Sequence, residues 1–157
     1  MEYAITQIIL GWLYGHLAEY LIHKYILHDP KKFKSAFKHH FGIHHKVSRN
    51  NEMYDEGYKN TFQASSLFEL GGLSLLLLSH LPLVYILPYF YYTLIYSALV
   101  YYSVLRLSHL YTDLGRKLLP WHYAHHMAKN QHENWGVRLP IFDLLLGTYS
   151  VENRDKA

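Results

Sequence analysis

Cysteine is absent from the 157-residue chain. That excludes disulfides, iron–sulfur clusters, thiolate zinc sites and a cysteine nucleophile. Charge is scarce too: Asp, Glu, Lys and Arg make up 17% of residues, and the net charge of +3 is too small to argue for nucleic acid as a partner. Not one of these four residues occurs between Leu70 and Leu105. No repeat, low-complexity tract or interdomain linker breaks the sequence, and its length suits a single domain over 1–157. Residues 1–22 lack a basic leader and a small-residue cleavage site, so they do not read as a signal peptide.

What the chain does have is apolar residues, tyrosine and histidine: 50% hydrophobic, 16 Tyr and 13 His. As one helix, Leu70 to Leu105 would measure ~54 Å at ~1.5 Å per residue, too long for a single crossing of a ~30 Å hydrocarbon layer. Ser79, His80 and Pro82 interrupt it. The pattern predicts membrane spans at about 62–79 and 83–105, with a third at about 3–22. The fold class expected is therefore all-α: an integral membrane helical protein with about three spans and a histidine-rich cap made of 23–61 and 106–157. Eight of the 15 basic residues lie between Lys24 and Lys59 and the other seven from Arg106 to Lys156. Both segments then share one side, which the positive-inside rule makes cytoplasmic, in a bacterial inner membrane or endoplasmic reticulum. The alternative is a soluble helical bundle with a very apolar hairpin.

The histidines fall in four groups, each just past the end of a predicted span on that same side. The first is HKYILH, His23 to His28. Five residues along an α-helix is ~140° off the starting face, so both rings reach one centre only where the helix loosens, and Asp29-Pro30 ends it at once. The second is HHFGIHH, in which His40 and His44 stand at i and i+4 and are expected to share a face, with His45 adjacent and His39 spare. The third is His109 with Asp113, again i and i+4. The fourth is HYAHH: His122, His125 and His126. Together they supply enough donors for two metals. Histidine dominance argues for iron or zinc over magnesium or calcium, and redox work would need iron.

These boxes resemble those of the fatty acid hydroxylase/sterol desaturase superfamily, whose pattern is HX3-4H, HX2-3HH, HX2-3HH. Here they read HKYILH, HFGIHH and HYAHH, followed by Asn134-Trp135-Gly136 and by Phe142-Asp143 through Gly147-Thr148-Tyr149. The resemblance covers about residues 12 to 150. It implies O2-dependent attack on lipid C–H bonds at two histidine-bound irons, with zinc as an alternative occupant on purification, and electrons from a cytochrome b5-like or ferredoxin-like donor. It carries His23, His28, His40, His44, His45, His122, His125 and His126 over as metal ligands, and His109 as the extra histidine after the last span. Asp113 stands where the family has a histidine, and a carboxylate also binds iron. Many relatives show four spans where this chain shows three; a homo-oligomer would supply the missing hairpin partner.

The expected function is thus a di-iron lipid hydroxylase or desaturase, acting on fatty acyl or related chains drawn from the bilayer. A sterol or carotenoid hydroxylase of the same superfamily is the alternative, and a non-catalytic membrane zinc- or iron-binding protein is the alternative of another class. Glu19, one turn before His23, is read as either a group that orients a ligand or a helix-paired acid. Glu69 has the same two readings with the structural one preferred. His80 and His132 are read as surface residues, and Asp143 with Gly147-Thr148-Tyr149 as a structural tie. Lys31, Lys32, Lys34 and Lys38 are read either as fixing topology or as attracting anionic lipid heads.

Overall fold

The computed structural model describes residues 1–151; Arg154 and Lys156, counted above among the basic residues, lie outside them. Helices α1 (Glu2–Ile22), α2 (Lys34–Phe37), α3 (Lys46–Asn50), α4 (Ala64–Ser79), α5 (Leu83–Ile86), α6 (Pro88–Leu110), α7 (Thr112–Leu118), α8 (Pro120–Met127) and α9 (Ile141–Leu146) carry the fold, with no strand among the described residues. Two π-helical segments, His23–Leu27 and Lys38–His45, and a 3-10 turn at Glu56–Tyr58 complete it.

Helix α1 lies along α6. The approach is close because Gly11 and Gly15 face it: a Cβ on Gly11 would stand 2.9 Å from the Phe90 carbonyl oxygen, and one on Gly15 2.6 Å from Ser97 Oγ. Proline opens α6 at its first position, where the missing N–H costs nothing. The free N–H groups of Tyr89 and Phe90 donate to Gln7 Oε1 of α1 at 3.0 and 3.4 Å, so one helix caps the other. Helix α4 also packs against α6.

The predicted spans do not emerge as such: none of the described helices is long and apolar enough to cross a membrane. Length and apolarity occur in different helices. With 21 and 23 residues, α1 and α6 measure ~31 and ~34 Å, but Gln7, His16 and Glu19 dilute the first and tyrosines, Arg106 and His109 the second. Helix α4 is apolar, yet its 16 residues reach only ~24 Å. The span expected at 83–105 is also divided. Leu87 takes φ −133°, ψ 64°, outside the helical region that a following proline disfavours, so α5 stops at Ile86 and α6 runs on past Arg106 to Leu110.

The apolar core of fully buried side chains is small: Tyr58, Leu105 and Val137, backed by Tyr101, Val104 and Leu110. The larger buried assembly is made of imidazoles, beneath the C-terminal ends of α1 and α6. Over it runs a strap, residues 131–150. Asp143 of α9 ties the strap, accepting from the Trp135 and Gly136 N–H groups at 2.7 Å each and from Thr148 Oγ1 at 2.7 Å. Gly147 closes α9 with φ +68°, a left-handed cap that glycine adopts without a Cβ penalty.

Candidate metal centre

Eight histidines converge in two adjacent groups. Ligand-capable atoms of His23, His28, His40, His45 and His125 all lie within 4.8 Å of one another, and so do those of His44, His109 and His126. All eight are buried. His122, also buried, extends the second group, its Nε2 3.3 Å from His109 Nε2. The groups abut where the His45 and His126 rings stand 4.3 Å apart.

The π-helical segments decide this partition. Their i→i+5 hydrogen bonding brings residues five apart onto one face. His23 and His28, which an ordinary helix would separate, thus enter the same group: the loosening that the HKYILH spacing requires is present at His23–Leu27. The second box departs from expectation. His40 and His44 do not share a group; His40 pairs with His45, five on, and His44 joins His109 and His126. In the last box, α8 is a regular helix, and its adjacent His125 and His126 serve one group each.

Asp113 is not brought to either group. Helix α6 ends at Leu110, and Tyr111, at φ −119°, ψ 71°, breaks the i, i+4 relation to His109 before α7 begins. Asp113 is exposed there. His39 stacks on Phe68, His80 shares a 2.7 Å hydrogen bond with Tyr14 Oη, and His132 is exposed; all three lie outside both groups, as does His16.

The far nitrogens of five rings are held by acceptors. His23 Nδ1 donates to the Trp135 carbonyl (2.6 Å), His125 Nδ1 to the Glu133 carbonyl (2.6 Å) and His109 Nδ1 to the Met53 carbonyl (2.7 Å). His45 Nδ1 donates to Gln131 Oε1 and His44 Nδ1 to the Asp55 carboxylate, each at 2.8 Å. With the proton committed to Nδ1, each Nε2 presents a lone pair inward, and such outer partners are how metal-bound imidazoles are oriented. Backbone strain sits beside these acceptors: Met53 has φ +73° and Asn134, between Glu133 and Trp135, φ +59°, positions uncommon for residues with a Cβ.

These residues fit a metal. The Nε2 atoms of His44, His125 and His126 are buried without a hydrogen-bond partner, a costly condition unless a cation meets them. Burial holds His23 down at about 4 and His109 at about 3, and pulls His28, His40, His45, His122, His125 and His126 well below the ordinary imidazole value, with neighbouring imidazoles adding to it. Neutral rings at pH 7 are ready ligands.

Sequence reasoning named the histidines but missed their supports. Nothing in the spacing marks Asp55 or Gln131, and backbone acceptors leave no trace in side-chain identity; the Asn-Trp-Gly element and Asp143 were the available signals for the strap. Glu19 does not touch a histidine. It accepts from the Val137 and Arg138 N–H groups (2.5 and 3.0 Å) and from Arg138 Nε (2.6 Å), fixing the strap next to the Trp135 carbonyl that receives His23. The carboxylate nearest a ring in α4 is Glu69, 3.6 Å from His40 Nδ1, beyond hydrogen-bond reach.

His23 also stands in the wall of a cavity of about 700 Å³ between α1, α4 and α6, lined mainly by apolar side chains such as Ile26, Phe33, Leu73 and Leu94. Of the α6 tyrosines, Tyr101 lines it, whereas Tyr89, Tyr92 and Tyr96 are exposed.

No curated protein and no solved structure gives a significant match to this chain. The family model described as fatty acid hydroxylase matches residues 8–148, a stretch that holds all three histidine boxes, most of the strap and the cavity wall. The chain belongs to the fatty acid hydroxylase family.

Proposed function

We propose that the protein is an O2-dependent oxidoreductase that hydroxylates or desaturates a lipid C–H bond, using two iron ions. The observation that carries this reading is the junction of two things: two abutting groups of buried, neutral imidazoles, and an apolar cavity that reaches His23. His23, His28, His40, His45 and His125 would hold one ion, and His44, His109 and His126, with His122 beside them, the other. The chemistry that iron supplies when bound is reductive activation of O2 against a C–H bond, with electrons from an external cytochrome b5-like or ferredoxin-like donor.

The chain's own part is to bind, orient and exclude water. Ile26, Leu73 and Leu94 give the substrate chain an apolar path beside His23, so its burial brings the reacting carbon to the histidine end. The strap fixes three rings through the Trp135 and Glu133 carbonyls and Gln131. Asp55 offsets positive charge at the second group. The outer faces of α1, α4 and α6 expose Ile8, Ile9, Leu10, Leu75, Leu78 and Tyr96. So much apolar surface on adjoining helices supports seating in a lipid bilayer, the phase that would supply the substrate.

The test is metal content and turnover. Protein purified in mild detergent should carry about two irons per chain, and a His125→Ala/His126→Ala variant, which removes one ligand from each group, should carry none. With a reductase and O2 the wild type should convert an acyl lipid to a hydroxylated or unsaturated product. Two zincs would support the site and leave the native metal to be established, because zinc displaces iron readily. Metal without oxygen-dependent turnover would favour a metal-binding membrane protein, and wild-type protein that takes up no metal would overturn the reading.

A further inference from the structure

The cavity wall is not uniformly apolar. Arg138 enters it from the strap and is nine-tenths buried. Its Nε donates to Glu19 Oε2 (2.6 Å) and its Nη1 to Ser97 Oγ (3.0 Å) and the Ser97 carbonyl (3.3 Å). Nη2 has no hydrogen-bond partner among the described residues, and it stands beside Gly15, 3.6 Å from where a Cβ would stand. Gly15, Ser97 and Arg138 all line the cavity. A guanidinium nitrogen with two spare N–H donors at a mainly apolar cavity wall is placed to meet an acceptor inside it.

We infer that Arg138 Nη2 forms a polar subsite that takes a neutral oxygen group of the lipid, a carbonyl or hydroxyl, about two helical turns along α1 from His23. Neutrality follows from the surroundings. Glu19 already offsets the Arg138 charge, and Glu69 is a second buried carboxylate in the same wall. An added carboxylate would surrender its hydration for a site with no net positive charge to receive it. The distance follows from the chain: Nη2 borders Gly15, eight residues or ~12 Å along α1 before His23. The subsite thus lies in the cavity away from the histidine end. The occupant is a lipid whose oxygen function sits partway along the chain, about 12 Å from the carbon held beside His23, distinct from a plain hydrocarbon.

This inference rests on the lipid-binding reading of the cavity. The test is binding, independent of turnover. Native mass spectrometry of the metal-loaded protein in detergent would compare an alkane, a fatty alcohol, a methyl ketone and a fatty carboxylate of equal chain length. The alcohol and ketone should bind about 10- to 100-fold more tightly than the alkane, the range of a hydrogen bond to a charged donor, and more tightly than the carboxylate. Arg138→Lys keeps a cation opposite Glu19 but removes Nη2, and should erase the preference while alkane binding stays. Should that variant lose its fold by circular dichroism, Arg138→Gln serves: its amide can still donate toward Glu19 while Nη2 is gone, and the preference should fall likewise. Equal binding of alkane and ketone, tighter carboxylate binding, or a preference that survives the folded variant overturns the subsite alone. Failure of every probe, the alkane included, overturns the lipid reading beneath it.

Discussion

The five-histidine group hangs its outer nitrogens on two backbone carbonyls and an amide, all from the strap: Trp135, Glu133 and Gln131. The three-histidine group relies on the loop after α3, through the Met53 carbonyl and the Asp55 carboxylate. The first group thus has more ligands and neutral supports, the second fewer ligands and one charged support. A carboxylate behind an imidazole raises its basicity and offsets the charge of a bound metal, so on the proposed two-ion reading Asp55 would compensate for the smaller number of histidines.

The broadest way to break both at once is acid. The folded His23 and His109 titrate at about 4 and about 3, below the ~6.5 of an unfolded histidine. Between these values the unfolded chain binds more protons than the folded one, so stability is complete above pH 6.5 and falls as pH falls toward 4. A melting series from pH 7.5 to 4 should show a continuous drop in Tm together with loss of both ions; a flat profile would contradict buried neutral rings. Next in size, His28→Ala and His109→Ala should each reduce the metal content by one ion of two per chain, read by elemental analysis. Loss of both ions from either would mean a single interdependent centre. Asp55→Asn sharpens the contrast further: competition with a chelator should show about 10- to 100-fold weaker retention of one ion while the other is held as before. The smallest effect belongs to Asp113→Asn. Metal content and Tm should match wild type, because this residue is exposed on α7.

Much of this was legible before any coordinates. The histidine boxes marked a candidate metal centre through side-chain type and short spacing, and HKYILH signalled, through its awkward spacing of five, that the helix there is not regular. The same logic failed at the second box, since i, i+4 is a rule of α-helices and Lys38–His45 is a π-helix. Asp113 failed for a similar reason: the helix that made it a neighbour of His109 stops first. The spans were drawn from uncharged runs. Tyrosine, serine and glutamine carry no charge yet lower apolarity enough to separate the run from a crossing helix. The Glu19–Arg138 pair spans 119 positions, beyond the reach of any local pattern, and the acceptors that hold the rings belong to the main chain.

The π-helical segments also set how the sequence tolerates change. A substitution at Gly42 or Ile43 keeps the number of residues between His40 and His45, whereas one at Phe41 also removes packing against the His28 and His45 rings. Deleting one of the three would shorten the interval between His40 and His45 to four, allow the segment to relax into an α-helix, and still keep both histidines on one face. His44 would then point elsewhere, and the smaller group would lose a ligand while the larger stayed whole. Chain length between the histidines is thus what places them, and the extra residue of the second π-helical segment acts as a spacer that lets the neighbouring His44 and His45 enter different groups.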